Sequence, residues 1–233
     1  MMNYRFAILA AVISGAQLAS AAPALAADAT HPTVVELFQS QGCSDCPPAN
    51  ANVMALSDRP DLLTLSFGVT YWDRLGWKDT FASPQYTARQ WDYAHAFHRA
   101  EVFTPEVVVN GRADVVGADR AQLEALIRRE SNDGGPQVRI DANMVTVGAG
   151  TARAAEVWLV HYDPNIVQVS VARGENGGRT LPHKDVVKSL EKLGDWSGQS
   201  EAYPIPASTP AGLREAVLVQ VGRGGPILAA AHN

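Results

Sequence analysis

Only two of the 233 residues are cysteine, Cys43 and Cys46, so a scaffold built on several disulfides is excluded. Charge is sparse as well: 18% of residues are charged, 19 basic against 24 acidic, for a net charge of -5. No basic run rises above isolated pairs such as Arg128-Arg129. Nucleic acid is therefore not an expected partner. Past the N-terminal segment no apolar run approaches the roughly 20 residues that a membrane-spanning helix requires. The glycine-rich stretch RGENGGRTLPHKD, which holds His183, is not followed by a helix-opening Gly-Lys-Ser/Thr, which argues against a phosphate-binding loop. It reads as a long loop placed to cover a site elsewhere. The hydrophobic fraction of 46% supplies an ordinary globular core, and the length suits one large domain or two small ones.

The first 26 residues differ in texture. Arg5 is followed by a mostly apolar run from Phe6 to Leu18, and Ala24-Leu25-Ala26 supplies a small-x-small cleavage site. This predicts a cleaved signal peptide over residues 1-26 and a periplasmic or secreted mature chain with no membrane association. Such a compartment is oxidising, so two cysteines there can pair.

Thr33 to Phe38 reads as a central strand, and a helix starts after Cys43 with Pro47 in its first turn. Leu62 to Val69 is a second apolar strand, which predicts a right-handed βαβ unit with parallel strands. Tyr71 to Asp79 is aromatic and charged without a clear period. Ser83-Pro84 introduces a helix from about Gln85 to Arg99. Thr104-Pro105 breaks the chain before a strand from Glu106 to Val109, and Asn110-Gly111 signals a hairpin returning through Ala113 to Val116. Asp119 caps a helix whose apolar face is Leu123, Leu126 and Ile127. Residues 132–136 form a polar, turn-rich boundary. Beyond it, alternating runs predict about seven strands in a small antiparallel sandwich or sheet. Val186, Val187, Leu190 and Leu193 also fit a helix face, with strand the preferred reading.

The order strand, Cys-x-x-Cys helix, strand, helix, Thr-Pro strand, Asn-Gly hairpin, helix resembles a thioredoxin fold. More closely, ELFQSQGCSDCPPA, TYWDRLGWKDTFASP, FTPEVVVNGRADVVG and RGENGGRTLPHKDVV resemble a family of secreted bacterial thioredoxin-like proteins of unknown function. The resemblance implies an α/β thioredoxin-like domain over residues 31-132, followed by a smaller β-rich, sandwich-like domain over 137-233. It also implies a cis-proline at Pro105 that lies against a disulfide and, with Thr104, positions a bound peptide. Ser44-Asp45 replaces the usual Gly-Pro between the cysteines, and no tryptophan precedes Cys43. A redox potential does not carry over.

A helix N-terminus stabilises a thiolate, which makes Cys43 the attacking residue and Cys46, one turn in, the resolving thiol. Asp45 adds negative charge nearby and raises a thiol pKa, predicting a pair that oxidises less strongly than an acid-free motif. Glu36 is a candidate proton shuttle to Cys46, or else a satisfied strand carboxylate. Trp72, Asp73 and Trp77 either wall a substrate groove or pack as a loop. The leading function is an exported thiol-disulfide oxidoreductase acting on protein thiols or disulfides, or on a small thiol, with a redox partner and without a cofactor. Three readings stand beside it: an inert disulfide, a non-catalytic adaptor, and a zinc or copper(I) site built from Cys43, Cys46, His95 and His98.

Overall fold

In the computed structural model, residues 1–2, 30–131, 134–151, 154–206 and 209–233 are described. Residues 3–26 of the expected leader and Asn132-Asp133 of the expected boundary lie outside them. The chain enters through β1 (Thr33–Gln39), α1 (Cys46–Met54), β2 (Leu62–Gly68) and α2 (Pro84–Ala96). β3 (Glu106–Val109), β4 (Ala113–Val115) and α3 (Arg120–Arg129) follow. The βαβ expectation holds: β1 and β2 are parallel, aligned from Thr33 with Leu62 to Gln39 with Gly68. Every residue of both strands is buried, as expected of strands covered on two faces.

Side chains alternate across β1. Val35 and Leu37 pack with Ala49 and Val53 of α1 and with Leu123, Leu126 and Ile127 of α3. Val34 and Phe38 pack on the opposite face with Tyr86 and Tyr93 of α2. Ser83 and Asp119 cap α2 and α3, each accepting from backbone N–H groups of the first turn. Asn110 and Gly111 both have positive φ, 48° and 61°, as a two-residue hairpin turn demands. Asn110 Oδ1 also accepts from Val34 N at 2.8 Å, tying the turn to β1.

The α/β thioredoxin-like class expected from the sequence, with a separate sandwich-like domain behind it, is overturned. Nine strands follow: β5 (Val138–Asp141), β6 (Met144–Val147), β7 (Ala155–Asp163), β8 (Val167–Ser170), β9 (Thr180–His183), β10 (Val186–Trp196), β11 (Glu201–Pro204), β12 (Arg214–Gln220) and β13 (Ile227–His232). One mixed sheet runs β13-β12-β7-β10-β2-β1-β3-β4. The outer edge of β2 is a ready template for another strand. β10 takes it: Ser66 N donates to Asp185 O at 2.8 Å, and Val186 aligns with Ser66. The described residues therefore make a mostly β protein of thirteen strands and three α-helices. Segment 186–196, which fits either element in sequence, is a strand because β7 and β2 flank it.

β5, β6 and β11 form a smaller sheet around a core containing the fully buried Trp196. β8 and β9 form a hairpin whose Val169 and Leu181 pack on Trp77 and Phe81. That hairpin carries the 171–179 turn to the cysteines. Among the described residues no helix is long and apolar enough to cross a membrane.

Candidate functional site

β1 ends at Gln39, and a tight turn delivers Cys43, whose N–H donates to Ser40 O at 3.1 Å. Cys46 opens α1 and is joined to Cys43 by a disulfide. Both cysteines are only 1% exposed. Three sets of residues enclose them.

On one side, the Thr104-Pro105 bond is cis, and the Thr104 carbonyl lies 3.8 Å from Cys43 Sγ. Trp72 Nε1 donates to Thr104 Oγ1 at 2.7 Å, fixing the indole beside this loop. On a second side, Trp77 Nε1 donates to Gln41 Oε1 at 2.9 Å. Asp73 Oδ1 accepts from Asp79 N at 3.1 Å and so holds its own loop. Asp79 in turn accepts from Gln41 N at 2.7 Å. Trp72 and the Thr104-Pro105 bond thus meet beside Cys43, while Trp77 bonds to Gln41, two residues before it, and Asp73 to Asp79.

The 171–179 turn closes the third side. Asn176, fully buried, donates to the carbonyls of Gln41 (3.0 Å) and Cys43 (2.7 Å). Glu175 accepts from both Ser44 N (3.0 Å) and Ser44 Oγ (2.7 Å). These bonds hold its carboxyl below the usual range, and they bring negative charge to the start of α1. Asp45 is exposed at the N-cap, where its side chain caps nothing. The sequence marks RGENGGRTLPHKD as a covering loop, of which Thr180–His183 instead form β9, and it does not single out Glu175 or Asn176; no local signal distinguishes a clasp whose partners lie over 130 residues away.

Glu36 is not brought to the cysteines. It stands three residues from Gln39 on β1, hence on the opposite face. Arg89 Nε donates to Glu36 Oε1 at 2.8 Å, and Tyr93 Oη donates to Glu36 Oε2. Burial alone would lower the Arg89 pKa, but the adjacent Glu36 raises it above its ordinary value. Glu36 is the satisfied strand carboxylate. His95 and His98 are exposed at the far end of α2, where His95 packs near Trp91. Among the described residues no cluster of three or more His, Cys, Asp or Glu side chains could hold a metal ion, so the four-residue metal set is not assembled.

Glu106, the residue after Pro105, is 1% exposed. Burial pushes its pKa up to about 7, against the Gln90 hydrogen bond at 2.7 Å. Arg99 offsets little, because it is partly exposed and shared with Asp114. A carboxyl with a raised folded pKa binds its proton more tightly when folded. Its contribution is therefore greatest below pH 4.5 and is lost as pH rises to 7. Stability should fall by about 3 kcal/mol across that window relative to a Glu106→Gln variant. Denaturant midpoints at pH 4.5 and 8 check this; parallel pH profiles would refute it.

A single Cys-x-x-Cys disulfide, set at a strand-helix junction and roofed by a distant turn, defines a mixed-sheet protein built around one disulfide centre. The chain belongs to the family described as protein of unknown function (DUF1223), whose model matches residues 34–220. No curated protein matches. A crystal structure of a protein from Agrobacterium tumefaciens, a structural-genomics target, is similar at 32% identity and a TM-score of 0.71, covering 86% of this chain and 92% of that one. HBP35 of Porphyromonas gingivalis shares the fold at 9% identity and a TM-score of 0.54, covering 88% of this chain and 75% of that one.

Proposed function

We propose that the chain is an exported thiol-disulfide oxidoreductase, with Cys43 as nucleophile and Cys46 as resolving thiol. The observation that carries this reading is the Cys43–Cys46 disulfide at the start of α1. A ring this small adds little stability through chain entropy, so a purely stapling role has little to recommend it. A helix N-terminus, by contrast, favours the thiolate that exchange requires.

Exchange is balanced without a cofactor. An incoming thiolate attacks Cys43 Sγ, the bond to Cys46 breaks, and its electron pair leaves as the Cys46 thiolate. A second thiolate then displaces Cys43 from the mixed disulfide, so two substrate thiols are oxidised and the pair is reduced. The reverse sequence reduces a substrate disulfide and re-forms the Cys43–Cys46 bond. Asp45 and Glu175 both bring negative charge to the start of α1, which disfavours thiolate and supports a weakly oxidising pair. Thr104, Pro105 and Trp72 form the wall against which a substrate chain would lie.

In a Cys46→Ala variant, Cys43 cannot be resolved and should accumulate dithiothreitol-sensitive mixed disulfides with exported proteins or small thiols. Cys43→Ser should accumulate none. An empty Cys46→Ala variant, folded and exposed to an exported extract, would count decisively against the reading.

A further inference from the structure

His183 ends β9 and is 3% exposed. Its surroundings assign its protons. The Pro182 carbonyl accepts from Asn50 Nδ2 at 2.6 Å, which orients the Asn50 amide. Asn50 Oδ1 then accepts from Gln39 Nε2 at 3.2 Å, which orients Gln39. The same Gln39 nitrogen also donates to Ser66 Oγ at 2.6 Å and lies 3.3 Å from His183 Nδ1; an amide nitrogen accepts nothing, so a proton on Nδ1 would have no acceptor there and the proton sits on Nε2. Burial pushes the imidazole pKa down to about 4, so the ring is neutral and carries that one N–H. Nε2 is buried and has no hydrogen-bond partner among the described residues. Orphaned buried donors are rare because they forfeit their bond to water.

Two small cavities adjoin the ring. One of about 10 Å³ lies towards Asp79 and Phe81 and is at the lower limit for a single water. The other, about 40 Å³, is shared with Cys46, Pro47 and Asn50 and has room for water or for a swollen sulfur site. The nearby charged groups are engaged elsewhere. Asp79 accepts from Gln41 N and Phe81 N, Asp185 is bonded to Thr64 Oγ1, and Lys184 pairs with Asp58. Lys188 Nζ sits over the Phe81 ring, 4.4 Å from its centroid. α1 presents no ionisable side chain here other than Cys46.

We propose that His183 Nε2–H is the hydrogen-bond donor that receives the Cys46 thiolate when the disulfide opens, directly or through one water in the shared cavity. This rests on the oxidoreductase reading. When a protein or small-molecule thiolate attacks Cys43 Sγ, the electron pair of the broken bond goes to Cys46, and His183 stabilises it without giving up its proton. His183 is thus a positioning and charge-stabilising residue supplied by the C-terminal half of the chain.

The test follows the ultraviolet absorbance of the Cys46 thiolate against pH in a Cys43→Ser background. His183→Phe removes the donor and should raise the Cys46 pKa by about one unit, a tenfold loss of thiolate at a given pH. His183→Gln keeps an N–H and should restore part of the shift. An unchanged pKa in His183→Phe, or an equal rise in both variants, overturns the proposal. In the unaltered chain, the His183 Nε2–H proton resonance should move on reduction by dithiothreitol, and an unmoved resonance overturns the proposal even if neither variant folds. Shifts present without exchange on any thiol would sink the oxidoreductase reading alone; exchange with no shift would sink the His183 role alone.

Discussion

Glu36→Gln is expected to lower the unfolding free energy by about 3–5 kcal/mol. Glu36 is 0% exposed and Arg89 6%. The guanidinium donates to Glu36, to Gln220 Oε1 at 3.0 Å and to Tyr93 Oη at 2.9 Å, while Gln220 Nε2 donates to Tyr93 Oη at 3.0 Å. The glutamine amide cannot replace the lost charge, so the variant leaves Arg89 of α2 buried and uncompensated against the sheet. Because Gln220 lies on β12, the network links the first strand to the C-terminal strands. Replacing both partners, Glu36→Leu with Arg89→Met, should cost much less than the two single changes added together, since no charge is then stranded. Denaturant melts at constant slope measure all three. A single-variant loss below about 1 kcal/mol would show that the pair is not the determinant described.

Asn176→Ala is expected to speed reduction of the disulfide by dithiothreitol by about 10- to 100-fold. With Cys43 only 1% exposed, a thiol reaches it only after the 171–179 turn lifts. Asn176 holds that turn through the carbonyls of Gln41 and Cys43, and its own Oδ1 accepts from Arg179 at 2.6 Å. Losing these bonds removes roughly 1.5–3 kcal/mol from the closed state, and every 1.4 kcal/mol shifts the opening equilibrium tenfold. Glu175→Ala should act in the same direction but more weakly, because its bonds to Ser44 are exposed. Stopped-flow reduction under conditions where both variants are fully folded provides the measurement. Equal rates in Asn176→Ala and the unaltered chain would mean that the turn does not control access.

The local elements were legible because their signals are local. The parallel β1–α1–β2 unit follows from two apolar runs of strand length around a proline-started helix. The Asn110-Gly111 turn follows from two residues that tolerate positive φ, and the start of α3 from the Asp119 cap. Thr104 and Pro105 became site candidates only through the resemblance to a thioredoxin fold, whereas Trp72 and Trp77 stood out as clustered aromatics with no helical period. Glu36 misled because a carboxylate in a buried strand has the same appearance whether it serves chemistry or an ion pair. The face it points to is settled by strand parity, and its partner Arg89 lies 53 residues away.

The sequence by itself determined the Cys-x-x-Cys junction, the two-residue hairpin and the helix caps. Short-range sterics and backbone hydrogen bonding leave few alternatives at such positions. Only the tertiary structure decided that the chain is one mostly β protein rather than an α/β domain with a separate sandwich. Edge pairing between β2 and β10 joins residues 120 positions apart, Ser66 with Val186, and leaves no periodic trace in either segment. The same long-range closure places Asn176 over Cys43 and His183 beside Cys46.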